Sequence, residues 1–103
     1  MASKYSLAFS NAAKKDLEKL FNYISNELSN PSAASRLIDE IGKALRNIQV
    51  FPMSSPNINN EFVNDQTLRK LFVRSYIVFY RVKNNVIQVV RVLHATSNYQ
   101  SIL

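Results

Sequence analysis

The sequence predicts a single α+β domain in which two antiparallel helices pack on a small antiparallel β-sheet. The chain has 103 residues, close to the length of one domain, and 47% of them are hydrophobic, which is enough for one core. A helical period occupies residues 10–50, whereas β-branched and aromatic residues dominate residues 68–93. Helices followed by strands in this way are typical of the α+β class.

The first half of the chain predicts a short strand followed by a helical hairpin. Residues 4–9 alternate between apolar and more polar side chains, as in a strand with one buried face. Ser10 or Asn11 can cap the first helix, whose buried stripe is predicted at Ala13, Leu17, Leu20, Phe21, Ile24 and Leu28. Ser29-Asn30-Pro31 separates this helix from a second one, because proline suits the first turn of a helix. The second helix is predicted to end at Phe51-Pro52.

The second half predicts a long loop and three strands. Residues 52–66 carry two prolines and four asparagines without a clear period, and loops of this length are usually functional or disordered. The predicted strands are Leu68–Arg74, Tyr76–Val82 and Val86–Leu93, with Asn84-Asn85 as a two-residue hairpin turn between the last two.

That turn sets an expected register for the last hairpin. The expected opposite pairs are Tyr76 with Leu93, Val78 with Arg91, Phe79 with Val90, and Arg81 with Gln88. Both faces of the hairpin are then largely apolar. We therefore expect it to lie centrally in the sheet, with the helices on one face and partial cover on the other.

Charge is unevenly distributed along the chain. Residues 1–65 hold seven basic and seven acidic residues, whereas residues 66–103 hold six basic residues and no acidic one, so the whole net charge of +6 lies in the last part. This distribution favours anionic partners. No acid lies near these arginines in sequence, and a sheet arginine among aliphatic residues, such as Arg91, is costly unless it meets an anion or a cleft.

Several classes are excluded or disfavoured by composition. The chain has no cysteine and one histidine, so we expect no disulfide, no metal site and no cofactor. No apolar run approaches the roughly 18 residues of a membrane span. The first residues, Met-Ala-Ser-Lys-Tyr, lack the apolar stretch of a signal peptide. We expect a cytoplasmic protein without membrane contact.

Two sets of residues are candidates for function. Metal-free RNA cleavage needs a base for the 2′-hydroxyl, cations for the phosphorane and an acid for the leaving oxygen. The candidates for these roles are His94, Arg91, Arg81, Tyr99, and Glu61 or Asp65 of the long loop. The candidates for RNA or target binding are Arg69, Lys70, Arg74, Lys83 and Tyr76, because aromatic rings stack on unpaired bases while cations hold phosphates. The alternative to these functional roles is a structural one. His94 and the arginines are then solvated surface residues, and at least one of Tyr76 and Tyr80 lies in the core.

A set of ordered motifs spans nearly the whole chain. They are Ala13-x-x-Asp16-Leu17, Tyr23-Ile24, Ser32-Ala33-Ala34, Phe51-Pro52, Leu68-Arg69-Lys70-Leu71, Tyr76-Ile77-Val78-Phe79-Tyr80-Arg81-Val82, and Val90-Arg91-Val92-Leu93-His94 with Tyr99. This set resembles the RelE/ParE toxin superfamily. The resemblance implies one toxin domain over residues 1–103, with a microbial-ribonuclease-like fold, from a type II toxin–antitoxin pair.

The resemblance implies two targets, because RelE-type members cleave mRNA on the ribosome and ParE-type members poison DNA gyrase. The basic sheet and His94 favour a metal-independent, ribosome-dependent mRNA endoribonuclease as the leading hypothesis. The segments Tyr80-Arg81-Val82 and Arg91-Val92-Leu93-His94 are closer to ParE-like members. A non-catalytic basic domain that occludes RNA is a third hypothesis. The implied partners are an antitoxin with an acidic and apolar segment, in an assembly such as a heterotetramer, and either mRNA with the ribosome or gyrase.

Overall fold

The α+β architecture is confirmed by a computed structural model, which describes residues 5–56 and 67–103. The elements in chain order are β1 (Ser6–Phe9), α1 (Asn11–Asn22), a π-helical segment (Tyr23–Glu27), α2 (Pro31–Val50), β2 (Arg69–Val73), β3 (Tyr76–Lys83), β4 (Val86–His94) and α3 (Tyr99–Ile102). The two long helices form the predicted hairpin, and the short α3 was not predicted.

The sheet is mixed, which corrects the expectation of an antiparallel sheet. Its strand order is β1-β4-β3-β2. The pairs β2–β3 and β3–β4 are antiparallel, whereas β1 runs parallel to β4, with Ser6 beside Val86 and Phe9 beside Val89. Both helices and two strands separate β1 from β4 in sequence, so no tight turn imposes an antiparallel pairing.

Both helices begin as the sequence predicts. The Ser10 side chain accepts a hydrogen bond from the Ala13 amide at 2.9 Å, and Asn30 Oδ1 accepts one from the Ala33 amide at 3.1 Å. Each cap satisfies an amide that has no partner within its helix. The first helix does not remain α-helical to Leu28, because the π-helical segment follows Asn22. Leu28 is consequently 55% exposed instead of lying on the buried stripe.

A β-bulge changes the expected register of the last hairpin. Asn84 and Asn85 have φ values of 52° and 61°, as a two-residue turn requires, and Arg81 lies opposite Gln88 as predicted. Beyond the bulge at Val90 the expected pairs are wrong by one residue. The observed pairs are Phe79 with Arg91, Val78 with Val92, Ile77 with Leu93, and Tyr76 with His94. The turn sets the register only as far as the bulge, because the extra residue shifts every later pair.

The core lies mainly between the helices and one face of the sheet. The buried residues of this layer are Ala13, Leu20, Leu37, Ile41, Leu45, Val73, Val78, Val89 and Val92. Tyr80 is also fully buried, and its hydroxyl donates to the Pro52 carbonyl at 2.9 Å. This confirms that at least one of Tyr76 and Tyr80 lies in the core. On the other face, Tyr99 and Leu103 partly cover Leu68, Ile77 and Phe79.

None of the helices in residues 5–56 and 67–103 combines the length and apolarity that a membrane crossing requires. No group of three or more histidine, aspartate or glutamate side chains in these residues could hold a metal ion.

Candidate functional site

Arg91 is bound by an aspartate of α1. Asp16 is 8% exposed, and its carboxylate accepts from Arg91 Nε at 2.8 Å and Nη2 at 2.9 Å. The same carboxylate accepts from the amide of Val92 at 2.9 Å. These hydrogen bonds raise the pKa of Arg91, while partial burial opposes that rise. Arg91 therefore meets its anion within the molecule, on an element far away in sequence.

Asp16 also caps an open stretch of sheet edge. The last pair between β1 and β4 joins Phe9 to Val89, after which the chain turns into α1. Beyond this point β4 has no strand on its β1 side, so the Val92 amide would lack a partner on that side of the sheet. The Ser10 hydroxyl donates to the Val90 carbonyl at 2.7 Å, so side chains at the start of α1 replace the missing strand.

Arg74 forms a second pair, with Glu40 of α2. The contact is bidentate, through Arg74 Nε to Glu40 Oε2 and through Nη2 to Oε1 at 2.7 Å. The hydrogen bond from Arg74 lowers the pKa of Glu40, and the charges of Arg36 and Lys43 lower it further, while desolvation opposes them. Arg74 lies in the β2–β3 turn with a left-handed φ of 54°. Two of the arginines that have no acid nearby in sequence are thus paired with a carboxylate from a distant helix.

His94 and Tyr76 meet across the β3–β4 pairing. Their ring centroids are 5.1 Å apart and the rings are nearly perpendicular, at 81°. The Thr96 amide donates to His94 Nδ1 at 3.2 Å, and the Thr96 hydroxyl lies 2.7 Å from the same nitrogen. Burial raises the pKa of Tyr76, and the nearby Tyr23 raises it further.

These two rings line an open groove at the tip of the helical hairpin, which we call the tip groove. Its volume is about 580 Å³, and its lining residues are Tyr23, Ile24, Leu28, Ser75, Tyr76 and His94. A neighbouring pocket that shares Tyr76 adds Arg36 and Arg74. Another, which shares Tyr76 and His94, adds Asp16 and Lys19. The tip groove is therefore mainly aromatic and apolar, and basic side chains line the two pockets that share residues with it.

Arg81 and Tyr99, two of the other predicted catalytic residues, lie apart from His94. Arg81 lies opposite Gln88 and lines a different pocket with Phe9 and Ser10. The stretch of β4 from Gln88 to His94 spans about 20 Å at roughly 3.3 Å per residue. The Tyr99 ring lies 5.2 Å from that of Phe79, on the sheet face opposite the long helices.

The predicted binding residues are also dispersed. Arg69 donates to the Ser55 carbonyl at 2.5 Å, and Lys70 Nζ lies 5.8 Å above the Phe72 ring. Lys83 is exposed at the end of β3 beside the hairpin turn. Only Arg74 and Tyr76 of this set line the pockets around His94. Glu61 and Asp65 lie outside the described residues.

Several residues of this region were not predicted from sequence. Asp16 could have been recognised, because it falls on the same helical face as Ala13 and Leu20, where a carboxylate requires a partner. Tyr23 and Lys19 gave no such signal. Tyr23 belongs to the π-helical segment, whose path departs from the helical period on which the sequence prediction relied.

Several solved structures share this fold. The chain matches the chromosomal ParDE toxin–antitoxin system from P. aeruginosa with a TM-score of 0.72 and 20% identity, covering 90% of this chain and 98% of that one. It matches the RelBE2 toxin–antitoxin complex from Mycobacterium tuberculosis with a TM-score of 0.61 and 18% identity, covering 87% and 96%. YafQ from E. coli strain BL21(DE3) matches with a TM-score of 0.57 and 12% identity, covering 87% and 92%.

At 12–20% identity, these likenesses show a shared fold. The family model of the ParE toxin of type II toxin–antitoxin systems (parDE) matches residues 7–99. The chain therefore belongs to the ParE toxin family, within the RelE/ParE superfamily that the motifs resemble. No curated protein matches significantly in sequence.

Proposed function

We propose that this toxin arrests growth by poisoning DNA gyrase, the action that resemblance to ParE-type members implies. This reverses the order of the two hypotheses that the sequence suggested. Membership of the ParE family supports the change. The observation that carries it is the dispersal of those predicted catalytic residues that the structure describes, because Arg91 is bound by Asp16, Tyr99 packs on Phe79, and Arg81 lies far from His94 along the sheet.

Dispersal counts against RNA cleavage because that reaction needs convergence. A base, a cation and an acid must all reach one phosphodiester at hydrogen-bond distance, and a misplacement of about 1 Å can cost roughly 100-fold in rate. A gyrase poison has no such requirement, because it acts by binding to an enzyme that itself cuts DNA. A binding surface can be assembled from apolar and basic residues distributed over several elements.

The test supplies gyrase, supercoiled plasmid and ATP with the purified toxin. We expect linear DNA to accumulate after detergent and protease treatment, and we expect transcripts from cells expressing the toxin to keep intact internal sequences. His94→Ala provides the discriminating variant. A general acid or base contributes about 10²- to 10⁴-fold, so its loss would abolish mRNA cleavage. Intact DNA together with transcripts whose cleavage disappears in His94→Ala would contradict the proposal.

Ribosome-dependent mRNA cleavage is the second candidate function. The observation that favours it is the exposed His94 beside Tyr76, in a region that Lys19 also lines. The same transcript mapping tests it. Occlusion of RNA without cleavage is distinguished by its response to substitution, because single changes at Arg81 or His94 would then weaken binding gradually and salt would weaken it throughout.

We propose a cognate antitoxin as the partner, with the complex located in the cytoplasm. The structural neighbours that are toxin–antitoxin systems support this pairing. An acidic and apolar antitoxin segment would complement the basic toxin, and a heterotetramer is one assembly to test by light scattering. Because a ligand of the native state stabilises it, the melting temperature should rise in the co-expressed complex. An unchanged melting temperature would contradict the pairing.

A further inference from the structure

The tip groove carries exposed aromatic surface from two separate elements. Tyr23 of the π-helical segment is 52% exposed, and it faces a groove that also contains the Tyr76–His94 ring pair of the sheet. Aromatic rings that line an open groove can hold the planar faces of unpaired bases, and this stacking tolerates any base. An apolar peptide could be bound equally well by leucine or isoleucine side chains. The aromatic rings therefore favour a ligand with planar bases.

Charge around the groove favours an anion. Lys19 lines one of the two neighbouring pockets and Arg36 lines the other, both from exposed helical positions. Asp16 is the carboxylate among the lining residues of the groove and its two neighbouring pockets, and Arg91 together with the Val92 amide already binds it. Arg74 is paired with Glu40, so Lys19 and Arg36 supply the net positive charge for a phosphate backbone.

The backbone that presents Tyr23 is itself unusual. π-Helical turns are rare in proteins and are frequently found at functional sites. Here the segment Tyr23–Glu27 supplies two residues of the groove, Tyr23 and Ile24. The π-helical turn thus adds an aromatic wall to the groove at the point where a regular helix would have continued.

We propose that the tip groove binds unpaired nucleotides of a single nucleic acid strand. Tyr23 and the Tyr76–His94 pair stack on the bases, and Lys19 and Arg36 contact the phosphates. The site deepens the proposed function and rests on it: the toxin would hold a strand of the DNA that gyrase has opened, in addition to contacting the enzyme. An apolar segment of a protein partner is the competing occupant, and the test separates the two.

The test measures fluorescence anisotropy of labelled oligothymidine, oligouridine and a duplex of equal length against the purified toxin. We expect the single strands to bind more tightly than the duplex, and the DNA and RNA arms show whether the 2′-hydroxyl matters. Tyr23→Leu should weaken single-strand binding by about 5-fold or more, because an aliphatic side chain cannot stack. Tyr23→Phe should retain binding, since the ring is preserved.

Two further variants complete the design. Phe72→Ala is the matched control, because Phe72 is also an exposed aromatic residue, at 57%, but lies on β2 away from the groove. It should leave binding unchanged. Lys19→Gln should reduce the slope of log affinity against log salt by about 0.7, the value for one phosphate contact on a single strand. Thermal melts of each variant verify that the fold is intact.

Three results would overturn the site. They are equal binding of duplex and single strand, equal binding by Tyr23→Leu and the wild type, and a Tyr23→Leu defect confined to antitoxin binding, which would assign the groove to a protein partner. Failure of the proposed function has a different signature. If the wild type binds oligothymidine but gyrase yields no linear DNA, the groove stands and the gyrase proposal falls. If linear DNA persists in a Tyr23→Leu toxin that has lost strand binding, the groove and the gyrase proposal both stand, and the link between them falls.

Discussion

Two arginine–carboxylate pairs join the helices to the sheet, and they differ in burial more than in geometry. Both are bidentate. The side chains of Arg91 and Asp16 are 25% and 7% exposed, whereas those of Arg74 and Glu40 are 61% and 30% exposed. A buried pair is costly to break because one charge is left without water or a partner, whereas an exposed pair exchanges protein contacts for solvent. The two ion pairs therefore have similar contacts but contribute unequally to the stability of the fold.

The two pairs also differ in what they hold together. Asp16 binds a backbone amide of β4 in addition to Arg91, so its loss would affect the sheet edge as well as a side chain. Glu40 has Arg74 as its direct partner, and Arg74 belongs to a turn. We infer that the α1–β4 junction supports the fold, and that the α2–turn junction shapes the surface beside the tip groove.

The largest expected effect comes from Asp16→Ala. This change leaves the Arg91 guanidinium and the Val92 amide without their acceptor. We expect a loss of about 3 kcal/mol, at the low end for a broken buried pair because Arg91 retains some exposure. Thermal denaturation should show the melting temperature fall by roughly 12–24 °C. Glu40→Ala is the matched control, and a fall of equal size in that variant would refute the distinction between the pairs.

A double replacement, Asp16→Leu with Arg91→Met, should have a smaller effect than Asp16→Ala. Removing both charges leaves no unpaired ion, and apolar residues of similar volume can replace a buried pair at little cost. Chemical denaturation of the two single variants and the double variant would measure the coupling. If the double variant loses as much free energy of unfolding as the two single variants together, the two residues are not coupled, and the charge pairing would be refuted as the cause.

A pH-dependent effect is expected from Glu40→Gln. Because Arg74 lowers the pKa of Glu40 in the folded state, the wild type gains stability above the unfolded carboxyl pKa and loses it as pH falls through the lowered value. The difference between wild type and Glu40→Gln should therefore be present at neutral pH and disappear in acid. Salt should also reduce it, since the Debye length falls to about 3 Å at 1 M. A difference that persists in acid would exclude the charge as its cause.

The smallest effect is expected from Arg74→Gly. The φ of 54° at Arg74 is unfavourable for a residue with a Cβ atom and is readily adopted by glycine. Relief of this strain should offset the loss of an exposed pair, so the melting temperature should stay the same or rise. Arg74→Ala keeps the strain and loses the pair, so it should melt below Arg74→Gly. The reverse order would show that the backbone is not strained at this position.

Local signals predicted the elements of the fold well. Ser10 and Asn30 cap their helices, and Asn84-Asn85 forms the turn of the last hairpin, because each of these features depends on residues within a few positions. The parallel β1–β4 pairing and the bulge at Val90 were not predicted. Strand direction depends on the path of the whole chain between the strands, and a bulge gives no clear signal in the alternation of side chains.

The candidate site was predicted only in part. His94, Tyr76 and Arg74 were selected from sequence, and the structure places all three around the tip groove and its neighbouring pocket. Tyr23 and Lys19 were missed because the helical period gave no reason to separate them from the other residues of the first helix. Arg81 and Tyr99 were selected for their chemistry, but they lie elsewhere on the sheet.

The sequence by itself determined the helical hairpin, the three-strand segment and the superfamily, because periodicity, caps and ordered motifs are local properties of the chain. It also located the net charge in residues 66–103. Only the tertiary structure decided which of those charges are available. Asp16 and Glu40 reach Arg91 and Arg74 from helices far away in sequence, and charges interact according to their separation in space and their exposure to water.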